Sequence, residues 1–355
     1  LIMLLLAGLL VLFSATYYVA QDTGHPLDEV FKQLIGIALG AAACTVTSRI
    51  PYRFWRQTPV VVAGLVLSAI LLVLVIIPGV GVYINGSRRW LVLGGMSFQP
   101  SELAKFAIVL YMATALSYAG PRIKRLFTGI VPLLIVPGVT FLLILEQPNL
   151  STAGSIMIVS LILIIMAGAK WRHILLMLVG GVAVGGFYAW SEPYRRRRLL
   201  SFRDPFAMMS DEGYQLSQSL IAFGSGGVFG MGLGQGRQKY AYLPYPESDF
   251  IFAIVGEDFG LLGCCVVIAL FVCLMIAGFR VAVACRDKFG ALLAAGITSS
   301  ITVQAFLNMG VVVGILPTTG LPLPFFSAGG TSVSITMAAM GVLMNISRTA
   351  GKMDC

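Results

Sequence analysis

Asp249 stands directly before the apolar run 250–278, so an ionisable group falls where a membrane helix would meet water. A charge at such a boundary is costly unless it does something. Partial desolvation there would make the carboxylate a stronger proton acceptor, suited to general-base work. Ser248-Asp249 ahead of an apolar run is equally the pattern of a helix N-cap, and the residues alone leave both readings open. Cationic partners are present in Arg88, Arg89, Lys105, Arg237 and Lys239, whose side chains suit the gripping of phosphate oxygens. Lys105 follows Glu102 by three residues, on nearly the same helix face. Neutralisation by Glu102 therefore competes with a ligand-facing role for Lys105, which the general behaviour of intramembrane charges favours.

Other candidates have bland competitors. The glycine-rich run 224–236 could cradle a pyrophosphate through backbone N–H groups, but no strand precedes it, and close packing is the stronger reading. Glu257 and Asp258 fit structural partners for basic residues. Arg195 to Arg198 read as a basic face against anionic lipid headgroups. Trp90 is a sugar platform or, more commonly, an interfacial anchor.

The elements that must position these groups are membrane helices. With 58% hydrophobic and 11% charged residues in 355, the chain is no ordinary soluble domain. Roughly 20 apolar residues span a bilayer core, and ten segments qualify: about 1–20, 30–48, 59–78, 102–118, 128–145, 151–169, 173–190, 250–278, 290–313 and 326–346. The fold class expected is an all-α polytopic membrane protein, one domain over 1–355, with about ten spans and a large loop, about 191–249, between spans 7 and 8. Arg49, Arg53 and Arg56, then Arg122, Lys124 and Arg125, then Lys170 and Arg172, then Arg280, Arg286 and Lys288 fall on alternate loops. The positive-inside rule then places both termini in the cytoplasm and the large loop outside. The first residues are already apolar, without a basic n-region or cleavage site, and read as a span rather than a signal peptide.

The six cysteines lie in spans or at cytoplasmic ends, which excludes a disulfide framework in the outer loops. His25 and His173 are the only histidines, so His-based zinc sites and Ser-His-Asp triads are not expected. The net charge of +9 is mostly cytoplasmic anchoring toward membrane lipids, with no nucleic-acid partner expected.

Three regions break the helical pattern. Residues 212–223 have the mixed spacing of an amphipathic helix on the outer surface, followed by the glycine run. The stretch 79–106 holds an outer loop of about 24 residues leading into the fourth span, with Ser101 as a candidate N-cap and Glu102 in the first turn. Leu316 to Ser332 carries Pro317, Pro322 and Pro324, which rules out a regular helix. Irregular backbone at membrane depth must be buried in protein or line a wet cavity. This segment therefore reads as a re-entrant wall, and Ser327 within it is a substrate-binding candidate.

The blocks NGSRRW (85–90) with QPSELAK (99–105), QKYAYLPYPESDFIFAIVGEDFG (238–260) and NMGVVVGILPTTGLPLPFFSAGGTS (308–332) closely resemble the SEDS family (shape, elongation, division and sporulation) of FtsW/RodA type. The match runs over essentially the whole chain in the family's order. GMGLGQGRQKYAYLP and GVLMNISR are more similar to the division and sporulation branch than to the elongation branch.

The resemblance implies a peptidoglycan glycosyltransferase that polymerises lipid II on the outer face of the bacterial cytoplasmic membrane, with Asp249 at the family's essential outer-loop aspartate. Arg88, Arg89, Trp90, Glu102, Lys105, Arg237, Lys239, Glu247 and Ser327 are then the substrate-binding candidates. Two departures stand out. Tyr245 follows Leu243-Pro244 where the family usually has an acidic residue, with Glu247 two residues later, and Asn149 follows Gln147-Pro148 where the family usually has Asp. A class B penicillin-binding transpeptidase is the implied partner, since nothing here resembles a transpeptidase serine motif. A divalent cation, Mg or Mn, is the one cofactor considered, with no ligand set assigned, and no organic cofactor is expected. A lipid II flippase is the rival from another class, disfavoured because only one segment is clearly broken and the chemistry-rich residues cluster on one side. A non-catalytic scaffold is the third reading.

Overall fold

The computed structural model describes residues 1–17, 27–84, 87–93, 96–191, 196–197, 201–207, 213–238, 240 and 242–350. Its helices are α1 (Ile2–Thr16), α2 (Asp28–Arg49), α3 (Thr58–Ile76), α4 (Pro100–Ala119), α5 (Val131–Leu145), α6 (Leu150–Met166), α7 (Trp171–Ser191), α8 (Tyr214–Gly226), α9 (Ile251–Ala284), α10 (Lys288–Val312) and α11 (Gly330–Ala350). Among the described residues seven helical stretches, containing α2, α3, α4, α5, α9, α10 and α11, are long and apolar enough to cross a membrane. Shorter apolar helices, α1, α6 and the Trp171–Phe187 part of α7, fall on the other three apolar segments of the sequence.

Prolines mark several starts. Pro59 and Pro100 lie at the first turns of α3 and α4, where the missing N–H is not needed. The helix α4 therefore begins two residues earlier than a Ser101 cap requires. Gln99 is the N-cap without a side-chain bond, and Ser101 lies fully buried inside the first turn.

The helical architecture carries one small addition in the loop ahead of α4. Residues 82–98 hold a small antiparallel sheet in the order β1 (Val82–Ile84), β2 (Ser87–Leu93), β3 (Met96–Phe98). Tyr83 faces Arg88 and Val82 faces Trp90 across the first pair, and Leu91 faces Phe98 across the second. The strands are rich in β-branched and aromatic residues, which fit a pleated surface. They are too short to stand out beside membrane spans.

The chain divides into two compact units, each discontinuous in sequence. The first comprises Leu1–Gln33, Leu175–Cys273 and Gln304–Ala328, and the second Leu34–Ile174, Leu274–Val303 and Gly329–Cys355. In the first unit the start of α9, from Phe250 to Val255, is almost wholly buried, as are Leu321, Leu323, Phe325 and Phe326 of the proline-rich segment. Their burial in protein is what irregular backbone requires at membrane depth. The helix α8 is not a surface helix: Leu216, Ser217, Gln218, Ser219 and Ala222 are buried, and the Ser219 hydroxyl donates to the Val312 carbonyl at 2.7 Å.

Candidate active site

In the first unit the proline-rich segment, α10 and the start of α9 converge on Asp249. The Asn308 carboxamide of α10 donates to the Asp249 carbonyl at 2.6 Å and to the Leu321 carbonyl at 2.7 Å. One buried side chain thus ties the residue ahead of α9 to the irregular wall. Gln304, one turn earlier on α10, donates to Pro322 at 2.8 Å. Within the wall the Leu323 N–H donates to the Ser327 hydroxyl at 2.8 Å, and the Gln33 side chain donates to the Ser327 carbonyl at 3.3 Å. The Ala328 N–H donates to the Glu247 carbonyl at 2.8 Å. Asp249, Glu247 and Ser327 are therefore brought into one hydrogen-bonded neighbourhood. Glu247 is half-buried. Burial pushes its carboxyl above the usual carboxylate range, and the nearby Glu29 and Asp249 charges push the same way.

Asn308, Gln304 and Gln33 are the residues that sequence reasoning missed. Their signal was present: carboxamides in apolar helices are costly unless bonded, and each here is buried with a backbone carbonyl as partner.

The helix α9 is broken at Gly260, whose φ of 65° and ψ of −162° are not helical. The glycine run supplies the bonds that the break removes. Met231 and Gly232 donate to the carbonyls of Glu257 and Asp258 at 2.9 and 3.0 Å, while Leu261 and Leu262 donate to Gly227 and Val228 at 2.9 and 3.2 Å. A Cβ on Gly230 would lie 2.3 Å from the Asp258 carbonyl oxygen, and one on Gly260 would lie 2.4 Å from the Gly230 nitrogen. Only glycines permit this approach. The run is packed against its own protein, as the close-packing reading expects.

Glu257 and Asp258 take part in structural hydrogen bonds of the first unit. The buried Glu257 carboxylate accepts from the backbone N–H groups of Arg237 at 2.5 Å and Gln238 at 3.0 Å, and Asp258 accepts from the Ser14 hydroxyl. Glu257 thereby pins the start of the 237–249 segment, with the Arg237 side chain exposed. Lys239 lies outside the described residues, as do Asn85 and Gly86 of the NGSRRW block.

The other cationic candidates belong to the second unit. Lys105 and Glu102, both buried on α4, form an ion pair at 2.7 Å, and the Ser332 hydroxyl donates to Glu102 at 3.0 Å. Lys105 also borders a cavity of about 10 Å³ with Ser155 and Ser300 among its walls. On β2, Arg89 donates to the carbonyls of Gln147, at 2.9 Å, and Pro148. Arg88 stacks over the Tyr83 ring at 5.9 Å, and Trp90 is half-buried in the hairpin. Asn149 caps α6 by accepting the Thr152 N–H at 3.2 Å, a role that an amide serves as well as a carboxylate. Among the described residues no group of three or more His, Cys, Asp or Glu side chains is placed to hold a metal ion.

The family of cell cycle proteins that joins FtsW, RodA and SpoVE matches residues 1–352. A probable peptidoglycan glycosyltransferase FtsW of Geobacter sulfurreducens is 40% identical over 341 residues, covering 96% of this chain and 91% of the relative. The stage V sporulation protein E of Bacillus subtilis is 40% identical over 354 residues, covering 98% and 94%. Among solved structures, a chain of a peptidoglycan synthase complex that coordinates polymerization and crosslinking matches with a TM-score of 0.79 at 27% identity, covering 98% of this chain and 97% of that one. The rod shape determining protein RodA of Thermus thermophilus matches with a TM-score of 0.66 at 27% identity, covering 96% and 94%.

Proposed function

The chain belongs to the FtsW, RodA and SpoVE family and is a peptidoglycan glycosyltransferase of the membrane, and from that premise we propose that it polymerises lipid II with Asp249 as the general base. In the reaction a sugar hydroxyl of one lipid II attacks the anomeric carbon of another. The new glycosidic C–O bond forms as the bond to the lipid pyrophosphate breaks. The hydroxyl proton passes to the Asp249 carboxylate, and the pyrophosphate leaves with the electron pair. The observation that carries the reading is the Asn308 clamp, which holds Asp249 by its carbonyl at the start of α9. A base is effective only when positioned within hydrogen-bond reach of its proton.

Arg237, whose N–H is bonded by Glu257 and whose side chain is exposed, is the described cation of the first unit that we assign to the phosphate charge. Arg88, Arg89, Lys105 and Lys239 remain phosphate candidates, Trp90 and Ser327 sugar-side candidates, and Glu102 the counterion of Lys105. No step is routed through a metal. The membrane is the bacterial cytoplasmic membrane, with both termini inside and residues 191–249 outside. The partner is a class B penicillin-binding transpeptidase that crosslinks the strands.

The deciding experiment supplies lipid II to the purified protein in detergent, where flipping has no meaning. The wild type makes glycan strands, and Asp249→Asn, which keeps shape and capping oxygen, makes them at least about a hundredfold more slowly, the scale of a lost general base. Near-normal synthesis by a folded Asp249→Asn protein would sink the assignment and move attention to Glu247.

A further inference from the structure

The glycine run does more than pack. Its residues 227 and 228 meet α9 where the helix changes character: from Ile251 to Asp258 the helix is buried in protein, whereas Leu261, Leu262 and Val266 are exposed. The 18 residues from Leu261 to Gly278, ahead of the basic Arg280, rise about 27 Å at 1.5 Å per residue, close to the ~30 Å hydrocarbon core of a bilayer. Leu261 and Leu262 therefore sit near one edge of the hydrocarbon. These are the two residues whose N–H groups bond to Gly227 and Val228.

At that level the loop turns apolar side chains outward. Phe229 is 81% exposed, and Val228 and Leu233 are exposed beside it. A soluble protein rarely leaves a phenylalanine so bare, and the loop backbone is bonded to the broken ladder of α9, as hydrocarbon depth demands. Gln235 and Arg237, the next exposed residues along the chain, match the polar level beyond.

We propose that residues 227–234 form a wedge seated in the hydrocarbon edge of the bilayer, with Val228, Phe229 and Leu233 among the acyl chains, docking the segment that leads to Asp249 on the membrane. The occupant is lipid because the patch is continuous with the lipid-facing leucines of α9. The wedge does not depend on the catalytic role of Asp249.

The test uses the whole chain with its cysteines replaced, reconstituted in phosphatidylcholine and phosphatidylglycerol vesicles without any partner protein. Single cysteines at Phe229, Val228, Leu261 and Ser248 carry nitroxide labels, and collisions with oxygen and with a water-soluble nickel chelate are measured. Labels at 229 and 228 are expected to favour oxygen over nickel, as at Leu261, with a ratio several-fold above that at the exposed Ser248. A nickel accessibility at both 228 and 229 equal to that at 248 would put the loop in water and overturn the proposal. Shielding of both labels from both reagents would mean that protein covers the patch, which also overturns it.

Discussion

Asp249 is held through its main chain, and its neighbour Glu247 titrates in a setting that disfavours charge. Because burial raises the folded-state pKa of Glu247 above its unfolded value, this residue favours the folded state most at low pH. That contribution is lost as pH rises through the folded pKa. Glu247→Gln removes the titration, so its melting temperature relative to wild type is expected to rise between pH 5 and pH 8, measured by thermal unfolding in detergent; a constant difference would refute the burial effect. Arg237→Ala keeps the backbone bond to Glu257 and removes an exposed guanidinium. It is expected to weaken lipid II use by about ten- to a hundredfold, mostly in KM, the worth of one charge-assisted contact at roughly 1.5–3 kcal/mol. Lys105→Ala is a poorer probe, since it leaves Glu102 buried without its cation, a change of about 3–5 kcal/mol in stability. Asp249, Glu247 and the ion pair of Glu102 and Lys105 were legible because a carboxylate or ammonium in an apolar chain is rare. Asn308 was not singled out, because a single Asn in a helix does not reveal which carbonyls it will meet 13 and 59 residues away.

Elements succeed here by being interrupted. The ladder of α9 fails at Gly260 and is repaired by the loop at Gly227 to Gly232. Gly260→Ala would place a Cβ against the Gly230 nitrogen and the Val228 carbonyl at a φ of 65°. Strain of this kind is worth of order 1–3 kcal/mol, so the variant is expected to melt several degrees lower and to lose activity even though it touches no reacting group. A thermal melt and a turnover assay on the same sample check this, and unchanged values in both would show the clasp to be dispensable. The glycine excess, the proline-rich wall and the apolar spans were all readable as composition. Pairing was not: the loop finds α9 through backbone bonds, which side-chain patterns do not encode. The sheet at 82–98 escaped for a related reason, since its short strands carry the same apolar residues as the spans around them.

Across the whole molecule, the alternation of basic loops predicts that the 191–249 region and the loop at Gln57 lie on opposite sides of the membrane. Ser201 and Gly236 lie buried, and a side chain at 236 would meet the Glu257 carboxylate at 2.5 Å. Single cysteines at the exposed Ala207 and Gln235 are therefore the usable probes. Both are expected to react with an impermeant thiol reagent applied to intact cells, and a cysteine at the exposed Gln57 to stay protected; reversal would remove the outward-facing reaction. The Asn308 clamp also has a consequence in the order of synthesis. The loop that repairs α9 precedes it in the chain, so the break is satisfied as soon as the helix is made. Asn308 and Leu321 come later, and until they emerge from the ribosome nothing can clamp the carbonyl of Asp249 to the wall. A nascent chain ending near residue 290 would hold its whole 237–249 segment and still lack this clamp, which forms only once α10 and the proline-rich wall have followed.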